Sequence, residues 1–357
     1  MNKNQDLILE ETFALAFLNH ERSNFLIAKK LYNEVLKIKP NHIGALGNLG
    51  VVSGQLEEYQ EAIDCYEKII EIDPLHRDAY LNLGNVFKNI VDFQKAINCY
   101  EKAIGINPNF TDAHYNLGNI YKEIKKNKKA INCYEKAIEI NPKYVNAYNN
   151  LGIIFDEIGE FQKAINCYKK AIEINPSALD SHNNIGNYFV RNKQYQEALS
   201  SYKKAIEINP NFADAQYNLG SVFELLSKNQ EAITCYKKVI NINPRYLNAH
   251  YNLGNIYVYL GEYKNAQNYY ENVIKINPDH SKTHGNLGVV FSMLKQYPKA
   301  INCYEKAAIL DPTNKLNKIG YGKLLLKLNE HIKGLKSITE GQGVIKFTQS
   351  DIKIILQ

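Results

Sequence analysis

The chain has no tryptophan, only two methionines and six cysteines in 357 residues, and no apolar run approaching the roughly 20 residues that span a bilayer. A membrane-spanning helix is therefore not expected. Glu10 and Glu11 interrupt the apolar stretch between Leu7 and Leu18, which argues against a secretory signal peptide. The expectation is a soluble, cytoplasmic protein. Catalytic constellations are lacking too: no nucleophile, base and orienting group can be assembled from the residue pattern. Gly320-Tyr321-Gly322 and Gly341-Gln342-Gly343 have neither the further glycine nor the lysine of a phosphate loop. No enzyme activity, cofactor or metal is expected.

Charge of one sign is also scarce where it would matter. The net charge is +6, but after Thr313 the lysines 315, 318, 323, 327, 333, 336, 346 and 353 face only Glu330, Glu340 and Asp351, so that 8 − 3 leaves +5 in this segment. The remainder is nearly neutral, without the basic stripe that tracking phosphates requires. One internal cluster, Lys122, Lys125, Lys126, Lys128 and Lys129, reads as a solvated turn.

What is present is a period. Nine of the ten prolines, from Pro40 and Pro74 through to Pro312, stand 34 residues apart, and only Pro298 is out of step. Ten residues after each of the first eight comes a glycine, Gly50 through Gly288. Ala62 through Ala300 form a third comb, each with a tyrosine four residues on, from Tyr66 to Tyr304. A fixed period of this length marks a repeat architecture. All six cysteines, Cys65, Cys99, Cys133, Cys167, Cys235 and Cys303, fall on one repeat position beside that tyrosine. Equivalent positions on stacked helices lie about 8–10 Å apart, too far for a disulfide.

Each repeat reads as two helices. Tyr80, Leu83, Gly84 and Phe87 follow the spacing of one buried stripe, and Ala96, Tyr100, Ala103 and Ile104 that of a second. Gly84 and Ala96 are expected to permit close approach of the two helix backbones. The proline after Asp73, Asn107 or Asn141 then ends the unit, because it disfavours helix at itself and at the residue before it. Neither helix buries its stripe alone; stacking does.

The pattern of aromatic, two residues, Leu-Gly, two residues, aromatic, then Ala, three residues, aromatic, then Pro resembles the tetratricopeptide signature. The resemblance implies an all-α fold, a right-handed superhelical solenoid of stacked antiparallel helix pairs, forming one elongated domain. It covers residues 9–314 as nine units, the first degenerate, with Ala14 and Ala16 where Asn and Gly are usual. The family's usual tryptophan is replaced by Leu46, Tyr80, His114, Tyr148, His182, Gln216, His250 and His284. His280 and His284 are four apart, but the first falls in a loop and the second in this packing slot. Residues 1–8 read as a polar lead, 315–340 as a degenerate tenth unit or capping helices, and 341–357 as a short tail.

In this family the first helix of each unit lines the concave groove, and its residues here repeat. Two before each glycine stands an asparagine: Asn48, Asn82, Asn116, Asn150, Asn184, Asn218, Asn252 and Asn286. One turn earlier come Asp78, Asp112, Asp180 and Asp214, with Asn146 and Asn248 as substitutes, and after the glycine Asn85, Asn119, Asn187 and Asn255. A primary amide can pair with both the C=O and the N–H of an extended backbone. The aspartates would add a preference for Lys, Arg or hydroxyl side chains. Consensus and the helix dipole account for the same residues without a ligand.

The paired ladder is similar to the repeat region of O-linked N-acetylglucosamine transferases. That likeness implies substrate-polypeptide binding at Asp78 with Asn82, Asp112 with Asn116, Asp180 with Asn184 and Asp214 with Asn218. Only about 43 residues follow Asn314, too few for a transferase domain. The clamp of the chaperone-tail binders, a lysine three before the glycine, is missing: Gly47, Leu81, Tyr115, Asn149, Asn183, Tyr217, Tyr251 and Gly285 stand there. The expected partners are thus extended polypeptide segments, not chaperone tails, nucleic acid or membranes. The two readings are a non-catalytic scaffold and the substrate-docking subunit or fragment of a transferase-like enzyme whose catalytic domain is absent from this chain.

Overall fold

Proline, glycine and tyrosine at fixed offsets give one supersecondary unit many times over. The structure, a computed structural model, describes residues 3–342, 345–347 and 352–354. It groups into two compact units, residues 1–184 and 185–357. In a repeat array each pair touches only its neighbours, so no single core enforces one body.

The first unit holds α1 (Lys3–Glu21), α2 (Phe25–Ile38), α3 (Ile43–Gln55), α4 (Tyr59–Ile72), α5 (Arg77–Asn89), α6 (Phe93–Ile106), α7 (Thr111–Glu123), α8 (Asn127–Ile140), α9 (Val145–Glu157) and α10 (Phe161–Ile174). Helix α11 (Leu179–Arg191) supplies residues to both units. The second continues with α12 (Tyr195–Ile208), α13 (Ala213–Leu225), α14 (Asn229–Ile242), α15 (Leu247–Tyr259), α16 (Tyr263–Ile276), α17 (Ser281–Met293), α18 (Tyr297–Leu310), α19 (Lys315–Lys327) and α20 (His331–Gln342). Residues 3–8, read from the sequence as a polar lead, are the first turns of α1. In the tail, β1 (Ile345–Phe347) pairs antiparallel with β2 (Ile352–Ile354). The rest of the apolar tail pieces, Val344 and Ile355-Leu356, lie outside the described residues.

The two turns of each repeat have separate chemical causes. Inside a pair, the chain leaves the first helix through a residue at positive φ. These recur every 34 residues at Ser23, Glu57, Val91, Lys125, Gly159, Lys193, Ser227, Gly261, Lys295 and Asn329. The next N–H reaches five residues back, as from Asp92 to the Phe87 carbonyl at 2.8 Å and from Lys126 to that of Tyr121 at 2.8 Å, which satisfies carbonyls the helix end leaves open. Between pairs, the residue before proline accepts from the N–H two residues on, as Asn107 does from Asn109 at 3.1 Å and Asn141 from Lys143 at 3.0 Å. That local bond forms the turn the proline requires.

Packing explains the glycine and tyrosine combs. The second-helix tyrosine lies flat on the first-helix glycine of its own pair: a Cβ on Gly84 would sit 2.6 Å from Tyr100 Cε1, and one on Gly118 2.7 Å from Tyr134 Cε1. The glycine therefore makes room for a ring, where the sequence suggests backbone approach. Tyr100, Tyr134, Tyr202, Tyr236 and Tyr270 are fully buried, with the alanines before them. The histidines in the tryptophan slot hold the inter-repeat turn, Nε2 meeting the proline carbonyl six residues back at 2.9 Å in His114, His182 and His250 and 2.8 Å in His284.

Candidate functional site

First helices of consecutive pairs lie against one another, as α3 with α5, α5 with α7 and α7 with α9 in the first unit and α17 with α19 in the second. By the family resemblance they are the inner layer of each unit, and the asparagine and aspartate positions fall on these helices.

Every ladder asparagine is half-buried, and most are engaged within the protein. In the first unit Asn116 Nδ2 donates to Asn85 Oδ1 at 3.0 Å, and the Tyr100 hydroxyl donates to the same oxygen at 2.8 Å. One repeat on, Asn150 Nδ2 donates to Asn119 Oδ1 at 2.9 Å and to the Tyr115 hydroxyl at 3.1 Å, while Tyr134 donates to Asn119 at 2.7 Å. Asn184 donates to Asn149 at 3.2 Å.

The second unit repeats the motif. Asn218 donates to Asn187 at 3.3 Å beside Tyr202, whose hydroxyl reaches Asn187 at 2.7 Å. Asn286 donates to Asn255 at 3.1 Å, with Tyr270 on Asn255 at 2.7 Å. Where Ser221 replaces the second amide, Asn252 turns to the hydroxyls of Tyr217 and Tyr236, at 3.2 and 3.1 Å.

The arrangement adds a structural role to the amides that the sequence does not suggest. Their nitrogens donate into a seam joining consecutive pairs, in which Asn85, Asn119 and Asn187 are acceptors. Among the described residues the Oδ1 atoms of Asn116, Asn150 and Asn252 accept nothing, so the inner layer offers acceptors. Asn82 stands outside the seam: Val51 and Gly47 are where its neighbour's acceptors would be, and it makes no side-chain hydrogen bond among the described residues.

The aspartates are all exposed, yet they are not equivalent. Tyr144 donates to Asp112 at 2.7 Å and Tyr246 to Asp214 at 3.0 Å, each reaching back from the next pair. Asp78 has Phe110 in place of that tyrosine and lies 3.7 Å from Arg77, whose guanidinium covers the Phe110 ring at 4.9 Å. Asp180 has no such partner among the described residues. These tyrosines were not singled out in the sequence, although their place two residues after the proline carries the same period.

The other candidates resolve as structure. The six cysteines are free thiols; burial pushes Cys65 and Cys99 up to about 12 and Cys133, Cys167 and Cys303 to about 11. His280 Nδ1 lies 2.7 Å from Thr283 Oγ1, and burial lowers its pKa. In the lysine cluster, burial lowers Lys122, Lys125 lies 4.0 Å from Glu157, and Lys129 covers the Tyr121 ring at 5.1 Å. Among the described residues no group of three or more His, Cys, Asp or Glu could hold a metal ion, and no helix is long and apolar enough to cross a membrane.

Comparison with known families bears on the whole array. Family models described as tetratricopeptide repeat match residues 44–75 and 145–178, 245–308 and 167–200. One described as TPR repeat matches 92–125, 118–159, 186–227 and 225–258. Together these run unbroken from residue 92 to 308, more than half of the 357 residues. A Sel1 repeat model matches 78–104. The chain belongs to the tetratricopeptide-repeat superfamily, a class of protein-interaction scaffolds.

Among solved structures, the chain is similar to PilF of Pseudomonas aeruginosa, at 20% identity, covering 61% of this chain and 97% of that one with a TM-score of 0.54, a likeness of fold. It also matches MamA, at 31% identity over 45% of this chain and 94% of that one, TM-score 0.42. YrrB, described as a TPR protein with an unusual peptide-binding site, matches at 24% identity over 53% of this chain and 97% of that one, TM-score 0.43. A comparison with curated proteins gives no match.

Proposed function

We propose that this chain is a non-catalytic scaffold that binds extended polypeptide segments along the inner helix layer of its units. The observation that carries the reading is the uncommitted oxygens of each unit: Asn116 and Asn150 in the first and Asn252 in the second each hold one carboxamide oxygen open while their nitrogens donate within the protein. Fixed acceptors cost a ligand little ordering on the protein's side, and an extended backbone supplies N–H groups in a regular row to meet them. The exposed carboxylates of Asp78 and Asp180, one turn before the ladder asparagines Asn82 and Asn184 on α5 and α11, add attraction for lysine and arginine. Asp112 and Asp214 contribute less, because a tyrosine hydroxyl already occupies one oxygen of each. Asn82, outside the seam, adds donor and acceptor.

The test is fluorescence anisotropy with labelled, unstructured, lysine-containing peptides. Changing Asn116, Asn150, Asn184 and Asn218 to alanine should abolish capture, but it also cuts the seam. A second variant, Asp78→Ser with Asn82→Ala and Asp180→Ser, removes groups with no seam hydrogen bond. It should weaken binding while circular dichroism shows unchanged helicity. Equal binding by wild type and this second variant would sink the proposal.

A further inference from the structure

Helix α1 carries apolar residues on every side, the pattern of a helix that is covered all round, yet only one side of it is covered. Leu9 and Ala16 are buried, while Leu7, Ile8, Leu15 and Leu18 are 53%, 49%, 49% and 44% exposed. With Glu11 these four follow one another at three- and four-residue steps, so they share one stripe of the helix. The same positions are covered in the pairs that follow. Where α1 has Leu15, the next first helices have Leu49, Leu83, Leu117 and Leu151, 3–6% exposed. Where it has Leu18, they have Val52, Val86, Ile120 and Ile154, 0–6% exposed. Those residues have a preceding pair to pack on, and among the described residues α1 has none.

A complete junction shows which residues make up the uncovered face. In the second unit, Ile206 of α12 lines one cleft with Leu219 of α13 and with Glu231, Thr234, Cys235 and Lys238 of α14. In repeat position the last five correspond to Leu15 on α1 and to Ile27, Lys30, Leu31 and Glu34 on α2. Ile27 is 53% exposed, and its counterpart on α4, Glu61, reaches Lys29 of the preceding pair at 2.7 Å. That position therefore faces the pair before. The exposed stripe of α1 and the Ile27 and Leu31 side of α2 form one patch, larger than the scattered apolar residues of an ordinary surface. A terminal repeat needs a polar outer face to stay soluble alone, and this one is apolar. It also lacks the seam: Ala14 stands where Asn116 and Asn150 hold the amides that tie their helices to the pair before.

We infer that this face of α1 and α2 pairs with the same face of a second copy of the chain across a two-fold axis. Its charges favour a copy over another partner. Glu11 and Glu34 are matched in number by Arg22, which follows α1, and Lys30. Glu10 and Glu21 hold the repeat positions of Asp78 and Glu123, on the inner-layer side of the helix. The face thus has no net sign with which to select an acidic or a basic partner, and a surface bearing both signs around an apolar centre suits an isologous contact. The area suffices as well. Helix α1 has 19 residues, about 28 Å of length, and two helices side by side are about 20 Å wide, a footprint on the order of 500 Å² per copy. Two faces then bury about 1,000 Å², the lower limit of a specific interface. Head-to-tail stacking has no equivalent second surface, because the last helix, α20, is in contact with β1. The inference is independent of the groove reading, which concerns another side of the same helices.

The experiment is sedimentation of the full chain from about 1 to about 100 μM, where a monomer and dimer in equilibrium, and nothing larger, should be seen. Leu15→Glu with Leu18→Glu should weaken the dimer at least about tenfold, and so should Leu15→Lys with Leu18→Lys, because each sets like charges face to face. Mixing the two double variants should restore it, since a two-fold contact then brings opposite charges together. Ile27→Glu gives a second route to the same loss from α2. Leu75→Glu, at a turn residue of the same unit that is 73% exposed but lies outside the face, should leave the dimer unchanged. The substituted side chains are all exposed, so circular dichroism should show unchanged helicity. A monomer at every concentration overturns the inference, as do species larger than a dimer. A dimer undiminished in the double variants, or a mixture of them that stays monomeric, overturns it too.

Discussion

The hydroxyl of Tyr134 donates to the carboxamide oxygen of Asn119 at 2.7 Å, and the amide of Asn150 in the next pair donates to that same oxygen at 2.9 Å. One acceptor thus serves a core tyrosine of its own pair and a groove asparagine of the following one. The inner layer and the stacking interface are chemically the same structure, so changes to one are read in the other.

Replacing Asn119 with alanine removes an acceptor shared by two donors. The Tyr134 side chain is fully buried, and a buried donor left without a partner costs about 1–3 kcal/mol. Urea unfolding of Asn119→Ala should show a loss in that range. Adding Tyr134→Phe should cost less than the sum of the single changes, because the two groups share one bond.

Two glycine-to-alanine changes should act in opposite directions. At Gly118 the new Cβ would meet the Tyr134 ring at 2.7 Å, an overpacking worth about 1–3 kcal/mol of destabilisation. At Gly105, within α6, nothing lies within 4 Å of the added carbon. There the gain in helix propensity should stabilise by about 0.5–1 kcal/mol. Thermal melts of the two variants separate packing from propensity.

Stability should fall on the alkaline side. Burial holds the phenols of Tyr100, Tyr134, Tyr202 and Tyr270 above their ordinary 10.0, and the thiols of Cys65 and Cys99 above 9.0. Above those ordinary values the unfolded chain releases protons that the folded chain keeps. It then binds fewer protons, and stability declines as pH rises. The contribution is fully present below about pH 9 and is lost through the interval up to the folded values. Melting midpoints measured across that interval check the sign, and the thiols should react with alkylating reagents only as the chain opens.

The tyrosine hydroxyls should tune the aspartates. Asp180→Asn should weaken binding of a lysine-bearing peptide more than Asp112→Asn, because Tyr144 already donates to Asp112. Tyr144→Phe should bring Asp112 level with Asp180. Each difference should be modest, about 0.2–1 kcal/mol for exposed charge pairs, and should shrink with added salt. Titrations at two ionic strengths measure it.

The 34-residue period by itself determined the helix pairs, their turns and the buried tyrosines and alanines, because propensity, proline geometry and apolar spacing act within one repeat and recur in every other. It also placed the asparagines and aspartates on the first helix. Their use was not legible. Whether Asn150 faces a ligand or reaches back to Asn119 depends on how one pair rotates against the last, which no residue within a single repeat encodes. The same holds for Asp112 and Tyr144, 32 positions apart and joined at 2.7 Å. The tertiary structure alone decided that the amide donors are committed to the seam while oxygens stay open. Stacking brings hydrogen-bonding groups of different repeats within about 3 Å, and at that range the strongest available pairing takes the donor.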